Sequence, residues 1–287
     1  MAVGDIIIAQ RYNDLQSAIS AIMGTGSGNR GYGQSISSSA VAPGELVRAS
    51  DISNLYNDMA RARLHQINSV DVSVTVPSAG DTVLDQTYVD LDSLMSAIDS
   101  GRLSISIPAQ STVETAETST RSNWNGVINH VVRFTWPNSD ARRHFFNSGG
   151  ELRTSANIAG ASGSKSNDWN AMFTAMGTIR MNYTSTTFTG VSGSGSSIGF
   201  YDLTTSYQTI FTKSGSGVYA ENDYIVQARA ATSTTVDIQI FFRDDDTGDP
   251  AVDENVAGTL TSTVSILRAS GANVSVPAPS SANTDLL

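Results

Sequence analysis

The feature that most constrains the fold of this 287-residue chain is an alternation of apolar and polar residues in its C-terminal half. A period of two places alternate side chains on opposite faces of a strand, so each such segment predicts a half-buried β-strand. Glycine–serine turns at 192–197 and 213–217 separate some of these segments. Several short strands joined by such turns indicate a β-sandwich. The predicted strands are 126–136, 178–189, 197–203, 206–214, 222–232, 235–244 and 259–268.

Two amphipathic helices are predicted near the N-terminus, at 5–23 and at 51–66. A Tyr-Asn-Asp sequence occurs in both, at Tyr12 and Tyr56, which suggests a duplicated element. Each helix is too short to be stable alone in water, so the apolar faces are expected to pack on each other or on a partner. The residues predicted for this oligomer or docking interface are Ile8, Tyr12, Leu15, Ile19, Leu55, Tyr56 and Met59.

The pattern divides the chain into three regions: a helical docking or oligomerisation element at 1–67, a mixed connector at 68–125 and a β-rich body at 126–287. The expected class is α+β, mainly β, with short helices inserted in the body, one of them at 167–176. Within the connector we predict a strand over Val70–Val76, a helix over Tyr88–Ser100, a strand over Leu103–Ile107 and an exposed Ser/Thr/Glu-rich connection at Ser111–Asn125. The C-terminal tail is expected to be extended, and either pinned to a neighbour or frayed.

Composition excludes several functions. The net charge is −10 and the chain has no basic stripe with which to neutralise phosphates, so nucleic acid is not an expected partner. With no cysteine, disulfides and thiol chemistry are excluded. We identify neither a signal peptide nor an apolar run of membrane-spanning length, so we expect synthesis in a cytoplasm and no membrane insertion.

Candidate chemical sites are few. His65, His130 and His144 do not stand at metal-ligand spacing, and for His144 a packing or hydrogen-bonding role is expected. The glycine-rich loop at 24–33 follows a helix and lacks a lysine, which favours a flexible turn over a phosphate cradle. Glu114 and Glu117 could pair as glycosidase acids only if the fold brought them together.

An acidic hairpin tip is the best metal candidate. Asp244, Asp245, Asp246 and Asp249 surround a glycine turn and could hold calcium, although the twelfth position of an EF-hand loop starting at Asp244 would be Asn255 and not a bidentate acid. The alternative is a solvated tip with no ligand. Otherwise no cofactor is expected.

The stretch Arg142–Ala156 reads as a corner between two strands. A helix is predicted at 140–147, ended by Ser-Gly-Gly, since glycine suits the positive φ of a C-terminal cap. An alternating strand follows. The residues predicted to build this structural corner are Arg143, His144, Phe145, Phe146, Gly149, Gly150 and Arg153.

The corner also carries a family resemblance. HFFNSGGELR, the upstream VVRFTW, GTGSGNRGYGQSISSSAV at 24–41, YDLTTSYQTIFTK at 201–213, GTLTSTV at 258–264 and GANVSVPAP at 271–279 resemble virion structural proteins of tailed bacteriophages, especially those of cyanobacteria and other marine bacteria. Such proteins are described as tail-fibre-like or as associated with the neck, collar or baseplate.

The resemblance implies a non-enzymatic part of a phage tail or neck, located in the virion and made in the host cytoplasm. It implies a homo-oligomer that binds other tail or neck proteins and contacts a host surface. A trimer is favoured because tail fibres are commonly trimeric, and a sixfold or twelvefold ring at a neck or baseplate is the alternative. The alternative is an adhesin that binds a glycan or receptor through surface aromatics, for which Trp124, Tyr201, Tyr207 and Tyr219 are the candidates. A polysaccharide depolymerase is a further alternative.

Overall fold

The structure is a computed structural model that describes residues 9–42, 44–245 and 255–287. These residues form five α-helices and two antiparallel sheets of five strands each. The predicted class, α+β and rich in β with helices at the N-terminus, is therefore confirmed.

The element bounds follow the chain. The helices are α1 (Ala9–Met23), α2 (Ala49–Ile67), α3 (Asp85–Ser100), α4 (Ser139–Asn147) and α5 (Ser164–Met176). The strands are β1 (Ser111–Trp124), β2 (Val127–Thr135), β3 (Glu151–Ser162), β4 (Ile179–Met181), β5 (Thr186–Phe188), β6 (Gln208–Ser214), β7 (Asp223–Thr232), β8 (Thr235–Arg243), β9 (Val256–Ala269) and β10 (Ser280–Asp285).

The chain folds into two compact units, each made of three segments. Unit 1 comprises Met1–Thr112, Arg143–Gly149 and Arg268–Pro277, and unit 2 comprises Val113–Arg142, Gly150–Leu267 and Ala278–Leu287. The predicted boundary between 67 and 68 thus falls inside unit 1. The periodic pattern of a segment says nothing of which distant segment it joins, which is why sequence order suggested contiguous regions.

Unit 1 is built on α1, α2 and α3. Their apolar faces meet in a core in which large side chains such as Tyr12, Ile52 and Tyr88 are fully buried. Packing of the two N-terminal helices on each other is thereby confirmed, and α3 supplies the third face.

The predicted docking interface needs correction. Tyr12, Leu15, Ile19, Leu55 and Met59 are at most 5% exposed and Tyr56 is half-buried, while Ile8 lies outside the described residues. An apolar stripe on a helix shows which surface must be buried, but it does not show whether the surface that buries it belongs to the same chain. Here α3 and the neighbouring segments of unit 1 provide it.

Two predicted strands of unit 1 are not formed. Val70–Val76 and Leu103–Ile107 run without regular secondary structure. Their hydrogen bonds go elsewhere: the amide of Ser106 donates to the carbonyl of His65 at 2.9 Å, and the Thr87 hydroxyl donates to the carbonyl of Thr75 at 3.3 Å. Alternation makes a segment suitable for a sheet, but a strand also requires a partner ladder.

Unit 2 is a sandwich of two sheets, ordered β1-β9-β3-β4-β5 and β10-β2-β8-β7-β6. Side chains join the sheets: the Tyr224 hydroxyl donates to Thr154 Oγ1 at 3.3 Å, and His130 Nδ1 lies 3.0 Å from Ser262 Oγ. The predicted sandwich is confirmed.

Aromatic rings fill one part of the sandwich core. Trp169 on α5 lies 5.5 Å from Phe173 and 6.3 Å from Phe242 on β8, measured between ring centroids. Tyr224 on β7 lies 5.3 Å from Phe242. Aromatic pairs at such distances add to the stabilisation from burial, and the Tyr224–Phe242 pair is edge-to-face. Trp169, Phe173 and Met176 of α5 are core residues, as their shared helix face predicts.

Two further segments differ from expectation, and the C-terminal tail is extended as predicted. Ser111–Trp124, predicted as an exposed connection, is the long edge strand β1. The predicted strand at 197–203 instead contains a 3-10 helix, Phe200–Asp202. The extended tail forms β10, which pairs with β2 from Ser280 opposite Thr135 to Asp285 opposite Val131. Serine- and threonine-rich segments carry little apolar signal, so their pairing is not visible in the sequence.

One lateral side of the sandwich is bridged by a short segment that we call the edge clip, Ser194–Ser196. Its first residue exchanges two backbone hydrogen bonds with Thr212 on β6, and its last exchanges two with Thr186 on β5. β5 and β6 are the outer strands of the two sheets on this side. The edge clip therefore bridges the outer strands of the two sheets at Thr212 and Thr186.

Among the described helices, none is both long and apolar enough to cross a membrane.

Candidate functional site

The corner predicted from Arg142–Ala156 holds the glycine-rich loop in place within unit 1. Arg143 on α4 donates to the carbonyls of Thr25 at 2.7 Å and of Gly26 at 3.3 Å, and also to that of Arg30. Asn147, one turn later, donates its amide to the carbonyls of Gly28 at 3.1 Å and Arg30 at 2.9 Å. The loop is thus fixed through its carbonyl groups, which corrects the expectation of an unrestrained turn.

His144 completes this arrangement. Its Nε2 lies 2.9 Å from the carbonyl of Thr25, so this nitrogen carries the proton and donates. Gly33 passes so close that a Cβ at this position would lie 2.4 Å from Nδ1 of the ring. The hydrogen-bonding role predicted for His144 is confirmed.

The other predicted corner residues have architectural positions. Phe145 and Phe146 are fully buried, with ring centroids 5.0 Å apart. Gly149 has φ of +84°, as its capping role predicts, and a Cβ there would lie 2.7 Å from side-chain atoms of Ile105. Gly150 and Arg153 belong to unit 2, where the Arg153 guanidinium binds Glu151 at 2.7 Å.

A buried histidine lies beneath this corner in unit 1. His65 on α2 is fully buried, and its Nε2 lies 3.0 Å from the carbonyl of Ser148. Burial lowers the pKa of His65 to about 4, an effect that the hydrogen bond to Ser148 only partly offsets. The imidazole is therefore neutral at neutral pH and donates from Nε2.

A buried carboxylate organises a second irregular segment of unit 1. Asp58 on α2 is fully buried and accepts the amide hydrogens of Ser37 at 3.0 Å and of Ser38 at 2.8 Å, together with the Ser37 hydroxyl at 2.9 Å. On α1, Asn13 both donates to and accepts from the backbone of Val41, at 2.9 Å in each direction. The two Tyr-Asn-Asp sequences thus fix neighbouring parts of one segment through different residues.

A charged cluster lies on the outer face of one sheet in unit 2. Asp237 on β8 is 1% exposed and binds Arg133 on β2 at 2.7 Å and Arg229 on β7 at 2.9 Å. Burial acts to raise the pKa of the Asp237 carboxyl, but the hydrogen bonds from the two arginines outweigh it and leave the pKa below its ordinary value. Arg229 also lies over the ring of Tyr207, 4.3 Å from its centroid.

The calcium candidate is divided by the fold. Asp244 is buried and lies 2.8 Å from Lys165 Nζ, and Asp245 lies 3.0 Å from Arg243. Asp246 and Asp249 lie outside the described residues. Each of the two described acids therefore has a cationic side chain beside it. No group of three or more potential metal ligands occurs within 9–42, 44–245 and 255–287.

The glycosidase pair is also separated. Glu114 and Glu117 lie three positions apart on β1, so their side chains leave opposite faces of the strand. Glu117 accepts the Ser281 hydroxyl at 2.8 Å. This arrangement does not place the two carboxylates around one substrate bond.

The four aromatics proposed for glycan binding do not form a shared surface. Trp124 and Tyr219 are buried, and Tyr207 is half-buried beneath Arg229. Tyr201 alone of the four is largely exposed, at 70%, and it stacks on the buried Tyr183 with centroids 5.6 Å apart and planes 20° apart.

A groove of about 490 Å³ runs between α1 and α3 on unit 1. Its floor includes Leu15, Ala18 and Met95, and its rim carries Asp14 and Asp92. Arg30 at one end binds Asp99 at 2.8 Å. This groove is open to solvent, in contrast to the buried apolar faces predicted to dock.

Comparison of the chain with protein-family models, with curated proteins and with solved structures gives no significant match. The virion resemblance drawn from short motifs therefore stays a prediction.

Sequence reasoning missed Asp58, Lys165 and Asp237 as organising residues. Each is a charged side chain that is at most 1% exposed. A charged residue inside a polar segment does not change the apolar periodicity, and its burial depends on partners that only the fold brings near. The sequence alone therefore does not reveal such a residue. A weak signal was available for Lys165, because it is one of only two lysines in the chain.

Proposed function

We propose that this chain is a non-enzymatic structural component of a tailed-phage virion, placed in a tail fibre or at the neck, collar or baseplate. The observation that carries the proposal is the interlocking of two segments that bear the resemblance. In unit 1 the corner residues Arg143 and Asn147 hold the loop carbonyls between Thr25 and Arg30. The residues that resemble the virion family thus serve architecture, which suits a building block.

The proposal is tested on particles of the phage that encodes the chain. Antibody raised against the full chain is applied to purified virions and located by gold labelling in electron microscopy. Label confined to the tail, neck or baseplate is expected. Label on the capsid alone, or particles that contain none of the chain by mass spectrometry, would contradict the proposal.

Self-association is part of the proposal, with a trimer favoured if the chain is a fibre. Since the apolar faces of α1 and α2 are used inside unit 1, assembly would rely on other surfaces, and docking to tail or neck proteins on exposed ones such as the α1–α3 groove. Size-exclusion chromatography with light scattering on the full chain is expected to give a trimer. A monomer at all concentrations would contradict self-trimerisation.

A host-glycan role is the second candidate, and Tyr201 favours it. Its exposed ring is backed by Tyr183, and Phe200 beside it lies under Arg142 at 5.1 Å. A rigid, exposed aromatic ring suits stacking against a sugar. Binding of the full chain to a glycan array is expected to be lost in Tyr201→Ala and kept in Val218→Ala, another exposed apolar position. Equal binding by both variants would reject this role.

A further inference from the structure

A lysine and an aspartate face each other in the interior of unit 2. Lys165 is the second residue of α5, and Asp244 directly follows β8. Both side chains have no exposed area, and Lys165 Nζ lies 2.8 Å from Asp244 Oδ1. Burying two charges costs several kcal/mol per ion in desolvation, roughly balanced by their attraction. The pair therefore gives little net stability as an ion pair.

The choice of lysine is unusual for this chain. Lys165 and Lys213 are its two lysines, so 17 basic residues less two leaves fifteen arginines. Arginine forms the ion pairs with Asp237 and with Glu151. A guanidinium keeps its proton, whereas an ammonium can release one and become a nucleophilic amine. The buried position is thus occupied by lysine, the basic residue type whose side chain can lose its proton and form a new covalent bond.

The elements that carry the pair also hold aromatic rings, and polar groups without partners occur on them and on neighbouring elements. Trp169 follows Lys165 by one helical turn, and its ring lies 5.7 Å from that of Trp124. Within the described part of the chain, Nε1 of both tryptophans and the carboxamide of the fully buried Asn222 have no hydrogen-bond partner. Buried polar groups are nearly always hydrogen-bonded, so these three require an explanation.

Strand register places Asn222 beside the pair. β7 and β8 are antiparallel, with Asp223 opposite Arg243 and Tyr224 opposite Phe242. Continuing this register by one residue puts Asn222 opposite Asp244. Hydrogen-bond donors that lack an acceptor and lie near a carboxyl group can stabilise the oxyanion that forms when a nucleophile adds to the carboxyl carbon.

We propose that Lys165 and Asp244 condense to an intramolecular isopeptide bond. The proton first passes from the ammonium to the carboxylate, which leaves a neutral amine against a neutral acid. The Nζ lone pair then attacks Cγ, and the carbonyl electrons move to oxygen. Collapse of this intermediate expels the hydroxyl oxygen, which leaves as water with a proton from nitrogen. One C–N bond forms and one C–O bond breaks, with no oxidant, reductant or co-reactant.

The product suits the site better than the ion pair does. An amide is neutral, so the desolvation cost of two charges disappears. The bond joins α5 to the end of β8 in a chain that has no cysteine with which to form a disulfide. The cross-link would therefore stabilise unit 2 covalently, as disulfide bonds do in other proteins.

The test is the intact mass of the purified full chain under denaturing conditions. The expected mass is lower than that of the sequence by one water. Amine labelling of the unfolded chain is expected to modify Lys213 and leave Lys165 unmodified, and a protease digest is expected to give one branched peptide containing both Lys165 and Asp244. A mass equal to the sequence, with Lys165 labelled, would overturn the proposal.

Two matched variants complete the experiment. Lys165→Arg keeps the charge but cannot condense, so its mass should equal its sequence. Lys213→Arg changes the other lysine, which is half-buried, and should keep the deficit of one water. Since the wild-type mass decides by itself, the test stands even if Lys165→Arg does not fold. A deficit of one ammonia, with Lys165 joined to Asn222, would overturn the assignment to Asp244.

Discussion

The two units use buried carboxylates for different purposes. In unit 1 the buried carboxylate of Asp58 accepts backbone amides of an irregular segment, and Arg143 and Asn147 donate to backbone carbonyls of another. In unit 2 the charges face each other: Asp237 binds two arginines, and Asp244 lies beside Lys165.

The difference follows from how each unit satisfies its backbone. Sheet ladders pair most amides and carbonyls of unit 2, so its polar side chains must find other side chains. Unit 1 contains long segments without regular structure, and their backbone groups need side-chain partners. Irregular backbone is thus supported by polar side chains, and regular backbone by apolar packing.

The largest expected effect tests apolar packing in unit 2. Trp169→Ala removes a fully buried ring from the aromatic cluster and leaves a cavity, which should lower the free energy of unfolding by about 4 kcal/mol. Urea unfolding followed by circular dichroism measures the change. Tyr201→Ala, at a 70% exposed ring, is the control and should cost less than about 1 kcal/mol. Similar losses in both would contradict the packing argument.

The next effect tests polar support in unit 1. Asp58→Ala leaves the amides of Ser37 and Ser38 without their acceptor, at a cost of about 3 kcal/mol. Hydrogen exchange at residues 35–41 should become much faster than in the wild type. The matched control is Asp14→Ala, the exposed aspartate of the other Tyr-Asn-Asp sequence, which should change stability by less than about 0.5 kcal/mol. Unchanged exchange in Asp58→Ala would show that the segment is held by other contacts.

Acid should weaken unit 1 through His65. Its pKa is about 4 in the folded chain against an ordinary 6.5, so the unfolded chain binds the proton first as pH falls. The stability contribution is complete above pH 6.5 and is lost as pH falls towards 4, up to about 3 kcal/mol. Hydrogen exchange in α2 at pH 7 and pH 4.5 measures it.

His65→Gln keeps a donor for the Ser148 carbonyl and should remove most of this pH dependence. His130 of unit 2 also has a pKa lowered by burial, so His130→Gln should change the pH dependence of unit 2 and leave that of α2 intact. An unaltered slope in His65→Gln would assign the acid sensitivity to another group.

The smallest effect concerns backbone conformation. Alanine at position 149 must adopt a positive φ, and its Cβ would lie against Ile105. Gly149→Ala is therefore expected to lower the free energy of unfolding by about 2 kcal/mol. Gly217→Ala shares the positive φ but meets open space, so about 1 kcal/mol is expected. Thermal unfolding of the two variants compares them, and equal losses would mean that the approach of Ile105 adds nothing.

Apolar periodicity correctly predicted those helices and strands whose apolar side chains pack in a core. The alternation of Val236, Ile238, Ile240 and Phe242 gave β8, and the stripe from Tyr12 to Ile19 gave α1. It failed where alternation lacked a partner, at Val70–Val76, and where pairing lacked apolar residues, in β1 and β10.

The corner was the part of the candidate site that sequence could locate. The conformations of Gly149 and of the adjacent helix depend on residues that are close in the sequence, so the cap and helix α4 were predicted. The contacts of Arg143 with a loop more than a hundred residues earlier were not, because no local pattern encodes them. The same holds for the approach of Lys165 to Asp244.

The edge clip has a consequence for the protein at high concentration. A free strand edge offers amides and carbonyls to any passing chain, which is a common start of aggregation. By bonding Thr186 on one sheet and Thr212 on the other, Ser194–Ser196 occupies both outer edges on that side with only three residues. At Thr186 and Thr212 a second copy of the chain would find no free backbone amide or carbonyl to pair with, so the clip lowers the tendency of crowded copies to join by strand pairing there.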